Sequence, residues 1–148
     1  MAVFFFDTSA LVKRYYSEKG TEAVDRIIKT DQNRVAISSL SIIETVSAFR
    51  RKHNRGELSE EAMDGLLSSF FQEALEEFLI LPLEESILQF SLELILEDDL
   101  RTLDSLQLSA AISIEPEVED LTFVCADSDL VSIAQKRGLS TVNPVEEQ

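Results

Sequence analysis

Along the chain, short continuous apolar runs alternate with longer stretches in which apolar residues recur at helical spacing. Val3–Phe6 is β-branched and aromatic and stops at Asp7, the pattern of a buried strand. Asp7, Thr8 and Ser9 then offer side-chain caps for a helix through Ala10–Tyr16. Gly20 interrupts, and Thr21–Lys29 resumes with Val24, Ile27 and Ile28 on one face. Arg34–Ser38 reads as a second strand. A helix from about Ser41 to Asn54 carries Ile42, Val46 and Phe49, and Gly56 ends it. Ser59 can cap a long helix bearing Met63, Leu66, Leu67, Phe70, Phe71, Ala74 and Leu75. Phe78–Leu81 predicts a third strand stopped by Pro82, and Glu84 to about Glu97 another helix. Arg101–Ile114 follows as a helix, with Leu103, Leu106, Ala110 and Ala111 expected to face inward. After a loop at Glu115–Asp120 come a strand at Thr122–Cys125, a helix at Ser128–Lys136 closed by Gly138, and a small strand at Ser140–Val142.

Strands alternating with helices predict an α/β fold of three layers, α/β/α, around a mainly parallel central sheet. The chain's 148 residues form one expected domain, 1–148. A chain of this length buries about 68–70% of its unfolded-state surface, so it needs neither a disulfide nor a structural metal to fold. The single cysteine, Cys125, lies in the apolar run LTFVCA, and the single histidine, His53, in a polar stretch. An inert buried thiol in a reducing, cytoplasmic setting is therefore expected. The apolar start AVFFF is too short for the core of a signal peptide, and Asp7 interrupts it. No run approaches the roughly 20 apolar residues of a membrane span.

Charge is unevenly distributed beneath a net −15. Residues 1–55 balance at +4, residues 56–100 at −13 with no Lys or Arg at all, and residues 101–148 at −6. The acidic total argues against broad nonspecific affinity for nucleic acid. It leaves room for a confined basic surface in the first third. The densest cationic run is Arg50-Arg51-Lys52-His53-Asn54-Arg55. Arg50, Arg51 and Arg55 are candidates for contacts to RNA phosphates, and Lys13 and Arg14 could extend the same surface. The competing reading is a solvated helix end, where cations favour the dipole.

Four carboxylates carry the candidate chemistry: Asp7 in VFFFDTSAL, Glu44 in ISSLSIIETVSAF, Asp104 in LRTLDSLQLSAA and Asp127 in TFVCADSDL. Each follows or closely trails an apolar run of strand character and opens a helical stretch. Each also has a modest explanation of its own. Asp7 and Asp127 can cap helices. Ser41-Ile-Ile-Glu44 fits a capping box. Asp104 in a first turn suits the helix dipole. Asp129 competes with Asp127 for the fourth place. These separate explanations give no reason for four acids at four matching places. Two unit charges at 4 Å repel by about 4 kcal/mol at an effective dielectric of 20, a large penalty for a domain stable by about 5–15 kcal/mol. A hard divalent cation, Mg²⁺ or Mn²⁺, would turn that penalty into coordination. The chain has no serine with a histidine partner and no Walker-type phosphate loop.

The phrases DTSALVKRYY, the segment around Glu44, LRTLDSLQLSAA, and FVCADSDL followed by AQKRGL and VNP resemble, in order and spacing, the PIN-domain family of metal-dependent ribonucleases. The resemblance is closest to the VapC-type toxins of prokaryotic toxin–antitoxin systems and covers nearly the whole chain. It implies that Asp7, Glu44, Asp104 and Asp127 form an acidic catalytic and metal-binding site for Mg²⁺ or Mn²⁺. Thr8 or Ser9 would assist by hydrogen bonding near the first acid. It further implies cleavage of RNA phosphodiester bonds, inhibition by a cognate antitoxin protein, and a homodimer. Two features depart from the family pattern: Gln107 stands where a histidine is frequent, and the chain is strongly acidic. A non-cleaving PIN-like module that binds RNA or protein is the alternative, and a nuclease of structured DNA a third.

Overall fold

The computed structural model describes residues 2–146. The elements run β1 (Ala2–Phe6), α1 (Thr8–Leu11), α2 (Thr21–Lys29), β2 (Asn33–Ser38), α3 (Ser39–Asn54), α4 (Glu60–Glu77), β3 (Leu79–Leu81), α5 (Glu85–Asp98), α6 (Thr102–Ile114), β4 (Asp120–Val124), α7 (Ser128–Lys136) and β5 (Ser140–Val142). Single 3₁₀ turns occupy Val12–Arg14 and Glu115–Glu117. The five strands pair in the order β3-β2-β1-β4-β5, and every pairing is parallel.

β1 is the centre of the sheet, which explains its unbroken apolar sequence: both of its faces are covered. In register, Phe5 lies beside Ala36 of β2 and Phe123 of β4. Val3, Phe5, Leu121 and Phe123 point into one core with Leu94 of α5, Leu108 of α6 and Leu130 of α7. The alternate residues Phe6, Val35, Ile37 and Val124 point to the opposite core with Leu11, Val24 of α2 and Phe70 of α4. The period-two alternation of strand side chains thus separates two helical layers across one sheet. The expected α/β/α architecture is the observed one, and the sheet is parallel throughout. No helix among the described residues is long and apolar enough to cross a membrane.

Several boundaries differ from the sequence expectation, each for a tertiary reason. The helix expected through Tyr16 stops at Leu11 and tightens into the 3₁₀ turn. There Arg14 donates to Glu73 at 2.8 and 3.0 Å and to Asp25 at 2.9 Å, while the Tyr15 hydroxyl donates to Glu73 at 2.8 Å. Thr21 Oγ1 donates to the Lys13 carbonyl at 2.8 Å, satisfying a terminal acceptor that a continuing helix would have used. α3 begins directly after β2, with Ser38 as its cap through Leu40 N–H at 3.1 Å. Ser41 therefore lies inside the first turn, and the capping-box reading of Ser41 and Glu44 does not hold. Phe78 ends α4 and does not open β3. β4 spans Asp120–Val124, and the N–H of its neighbour Cys125 still donates to the Val142 carbonyl at 3.0 Å. On α6, Ala110 and Ala111 are buried as expected, together with Ser105, Leu108 and Ile114, but Leu106 is half-buried and Leu103 is 47% exposed. On α4, Leu75 is 74% exposed although its helical spacing predicts a place with the core.

Candidate active site

Parallel pairing brings the carboxyl ends of β1, β2 and β4 to one edge of the sheet, the usual place for a ligand in such folds. Asp7 follows β1 directly, and its N–H donates to the Val124 carbonyl at 3.1 Å, fixing the end of β1 against the end of β4. Asp127 lies three residues beyond Val124 and caps α7. Glu44 sits in the second turn of α3, which springs from the end of β2. Asp104 reaches the same place by another route. It does not trail a strand: it stands in the first turn of α6, delivered by the α5–α6 hairpin.

All four acids line one cleft of about 250 Å³, together with Thr8, Ser9, Val12, Ala48, Arg51 and Gln107. A second basin of about 600 Å³ adjoins it, lined by Glu44, Leu100, Arg101, Thr102, Leu103 and Asp104. Glu44 and Asp104 belong to both. Asp129 is exposed and does not line the cleft; its N–H donates to Asp127 Oδ1 at 2.9 Å.

Each acid is held differently. Asp7 is only 5% exposed. Its Oδ1 accepts from Ser9 Oγ at 2.7 Å and from Ala10 N–H at 3.1 Å, and its Oδ2 accepts from Cys125 Sγ at 3.2 Å. Burial outweighs these donors and pushes its pKa up to about 6, with the Asp104 charge adding in the same direction. Asp127 uses Oδ1 to cap α7, leaving Oδ2 free of its helix. The Asp104 side chain makes no hydrogen bond or ion pair among the described residues. Burial raises its pKa, the Asp127 and Glu44 charges raise it further, and Arg101 opposes them. Repulsion therefore runs through Asp104 to the other three acids. Burial and the Asp7 carboxylate push the Cys125 thiol well above its ordinary range, which favours the protonated thiol.

Glu44 is tied most firmly. Its Oε1 accepts from Thr8 Oγ1 at 2.8 Å and from Gln107 Nε2 at 2.8 Å. Gln107 Nε2 also lies 2.8 Å from Ser41 Oγ and 3.1 Å from Thr8 Oγ1, and the two hydroxyls are 3.0 Å apart. Gln107 Oε1 is buried without a partner among the described residues, a state that costs about 1–3 kcal/mol. The links from Gln107 to Ser41 and Glu44 are not visible in the sequence, where Ser41 reads as a helix cap and Gln107 only as a departure from the family pattern.

The basic run divides. Arg51 lies seven residues after Glu44 and, with Ala48, on the same helical face, so it enters the wall of the cleft. Its Nη1 donates to Ser47 Oγ at 2.6 Å. Arg50 is exposed outside the lining. Arg55 pairs with Glu57 beyond the helix end, and Lys52 lies 4.0 Å over the ring of Tyr16. Lys13 and Arg14 do not extend the surface: Lys13 is buried against Glu18 at 3.0 Å, and Arg14 is held by Glu73 and Asp25. Arg101, which no sequence pattern marks, is the second cation at the site.

The donor set fits a hard divalent ion in its chemistry: all-oxygen, acidic, mutually repelling and gathered on one cleft. Among the described residues, however, no three carboxylate, imidazole or thiol groups stand close enough to share an ion as the side chains lie. Asp7, Glu44 and Asp127 are each fixed by hydrogen bonds on the cleft wall. Asp104 alone of the four makes no side-chain hydrogen bond among the described residues.

A family model of the PIN domain matches residues 4–136. No curated protein is similar enough in sequence to register as a relative. Among solved structures, FitAcB from Neisseria gonorrhoeae is similar with a TM-score of 0.71 at 16% identity, covering 97% of this chain and 99% of that one. VapBC2 from Rickettsia felis, solved bound to a DNA fragment from its promoter, gives 0.68 at 16% identity over 95% and 97%. The Mycobacterium tuberculosis toxin VapC20, described as cleaving the sarcin-ricin loop, gives 0.66 at 12% identity over 95% and 97%. At these identities the likeness concerns the fold.

Proposed function

We propose that this chain, which belongs to the PIN domain family, is a metal-dependent endoribonuclease and the toxin of a toxin–antitoxin module. The observation that carries the reading is the convergence of Asp7, Glu44, Asp104 and Asp127 on one cleft from four separated segments. PIN domains are generally nucleases, and several structural neighbours are toxins solved with their antitoxins, which supports a cognate antitoxin as partner. The homodimer and the cytoplasmic location implied by the family belong to the same reading.

Asp7, Glu44, Asp104 and Asp127 would hold Mg²⁺ or Mn²⁺. When bound, such an ion supplies the activation of water and the charge stabilisation that phosphodiester hydrolysis needs. The chain's own residues do the rest. Ser9 and the Ala10 N–H keep Asp7 oriented toward the cleft. Asp127 is fixed by the helix it caps. Arg51 in the cleft and Arg101 in the adjoining basin, which share the acids Glu44 and Asp104, would contact the phosphates of flanking nucleotides. The acidic residues 56–100 keep nucleic acid from settling elsewhere.

The test is cleavage of an end-labelled single-stranded RNA and a DNA of the same sequence by purified protein. RNA should be cut in Mg²⁺ or Mn²⁺, spared in EDTA and cut again when Mn²⁺ is restored, with the DNA intact. RNA bound but never cut would favour the non-cleaving module. A short adjoining reading frame for a DNA-binding antitoxin would favour a toxin over a solitary nuclease.

A companion measurement concerns the cations. In EDTA, replacing Arg50, Arg51 and Arg55 together by Gln should weaken RNA binding and flatten its salt dependence, by about 0.7 in the log–log slope for each phosphate no longer neutralised. Arg51→Gln alone should account for most of the change, because Arg55 is already paired with Glu57. An unchanged slope would return the run to a solvated helix end.

A further inference from the structure

We propose that Gln107 is a positioning residue for Glu44: its amide, locked by Ser41 and Thr8, holds the Glu44 carboxylate in place on the cleft wall and so sets the cleft's affinity for a divalent cation. The proposal rests on the metal-site reading above. It concerns a residue outside the acid set, on α6, that reaches across to α1 and α3.

Counting hydrogens fixes the direction of the network. The Thr8 hydroxyl gives its one hydrogen to Glu44 Oε1. The 3.0 Å contact between the hydroxyls must then be a donation from Ser41 to Thr8. Ser41 Oγ is left as acceptor for one N–H of Gln107, at 2.8 Å, and Glu44 Oε1 as acceptor for the other, also at 2.8 Å. The third oxygen within reach of the amide, Thr8 Oγ1 at 3.1 Å, is the most distant. Every hydrogen in the cluster therefore points toward one carboxylate oxygen, directly or through a neighbouring hydroxyl.

The amide has no alternative orientation. Turning it over would set a carbonyl oxygen against the Glu44 carboxylate and against Ser41 Oγ, whose hydrogen is already committed to Thr8. The observed orientation instead leaves Gln107 Oε1 buried and without a donor among the described residues. Gln107 is 3% exposed, so water does not reach it freely. A side chain selected only to fill this space would have no such atom; a methionine has the same reach and no polar group to bury. The orphaned oxygen is what the site tolerates so that two N–H groups can face Ser41 and Glu44.

The experiment titrates Mn²⁺ alone into the protein, without RNA, reading free Mn²⁺ by electron paramagnetic resonance, alongside thermal melts. Gln107→Met should weaken Mn²⁺ affinity about 10–100-fold, the usual effect of losing a partner of a ligand. Its melting temperature should stay level or rise, because the orphaned oxygen goes too. Gln107→His, which restores an N–H donor, should recover most of the affinity. Ser41→Ala loosens the amide without touching Glu44 and should weaken binding several-fold, which keeps the test alive if Gln107→Met does not fold. Wild-type affinity in both Gln107→Met and Ser41→Ala overturns the proposal. So does a loss of affinity in step with a fall in melting temperature that Gln107→His fails to reverse, which would make Gln107 a packing residue. Asp104→Asn, titrated in parallel, separates the two layers. If it loses Mn²⁺ while Gln107→Met does not, only the Gln107 proposal fails. If Asp104→Asn binds like wild type, or wild type binds nothing, the metal-site reading fails and Gln107 falls with it.

Discussion

Asp104→Asn should lower the rate of Mn²⁺- or Mg²⁺-dependent RNA cleavage about a thousandfold, roughly 4 kcal/mol in the barrier, while the protein stays folded. Asp104 is the acid through which the others interact. It adds to the pKa rise of Asp7, and its own pKa is raised by Asp127 and Glu44. It belongs to both basins of the site. It also has no internal hydrogen-bond partner among the described residues, so the exchange of oxygen for NH₂ breaks nothing in the fold. The loss should therefore be one of charge and ligation at the cleft. Initial rates on a labelled RNA at saturating Mn²⁺, with circular dichroism melts of both proteins, read the two halves of the expectation. A rate within a few-fold of wild type would remove Asp104 from the machinery.

Asp7→Asn should, in the absence of metal, be more stable than wild type at pH 8 by up to about 3 kcal/mol, and this advantage should disappear as the pH falls toward 4. The sign follows from linkage between protonation and folding. In the unfolded chain the carboxyl titrates near 3.8; in the folded protein burial, more than any other cause, raises it to about 6. Above pH 6 both states are ionised and the folded state bears the full cost of a buried charge, about 1.4 kcal/mol for each pH unit separating the two titrations. Between pH 6 and 3.8 the folded protein takes up a proton that the unfolded chain does not, so wild-type stability recovers as the pH falls. Asparagine keeps an acceptor for Ser9 Oγ and Ala10 N–H and carries no charge at any pH. Urea unfolding of both proteins in EDTA at pH 8, 6 and 4.5 measures the difference. If Asp7→Asn is the less stable protein at all three, the capping hydrogen bonds outweigh the desolvation.

Where the sequence is legible, a local pattern coincides with a tertiary one. β1 and β4 read as strands because each lies inside the sheet, and their apolar runs need no partner to be recognised. Asp127 reads as a cap and is one, with its second oxygen left for the cleft. Illegible features depend on residues far apart in the chain. α1 is short because Arg14 and Tyr15 turn to Glu73, on a helix the local pattern does not involve. Asp104 looks like a strand-end acid in the sequence, yet an α5–α6 hairpin delivers it. The Gln107–Ser41–Thr8–Glu44 cluster joins three helices, and no spacing rule could have assembled it. Arg51 is a different case. Its place on the cleft follows from the i, i+4, i+7 series Glu44, Ala48, Arg51, a periodicity present in the sequence from the start.

The most direct measurement of the central claim is the position of Mn²⁺ in a crystal of the wild-type protein, located by its anomalous scattering. The expected result is a peak in the cleft, ligated by Asp104 and at least one more of Asp7, Glu44 and Asp127, with Asp104 turned in from its untethered position. A contradictory result would be a protein that cleaves RNA only with Mn²⁺ yet places the ion away from these four carboxylates.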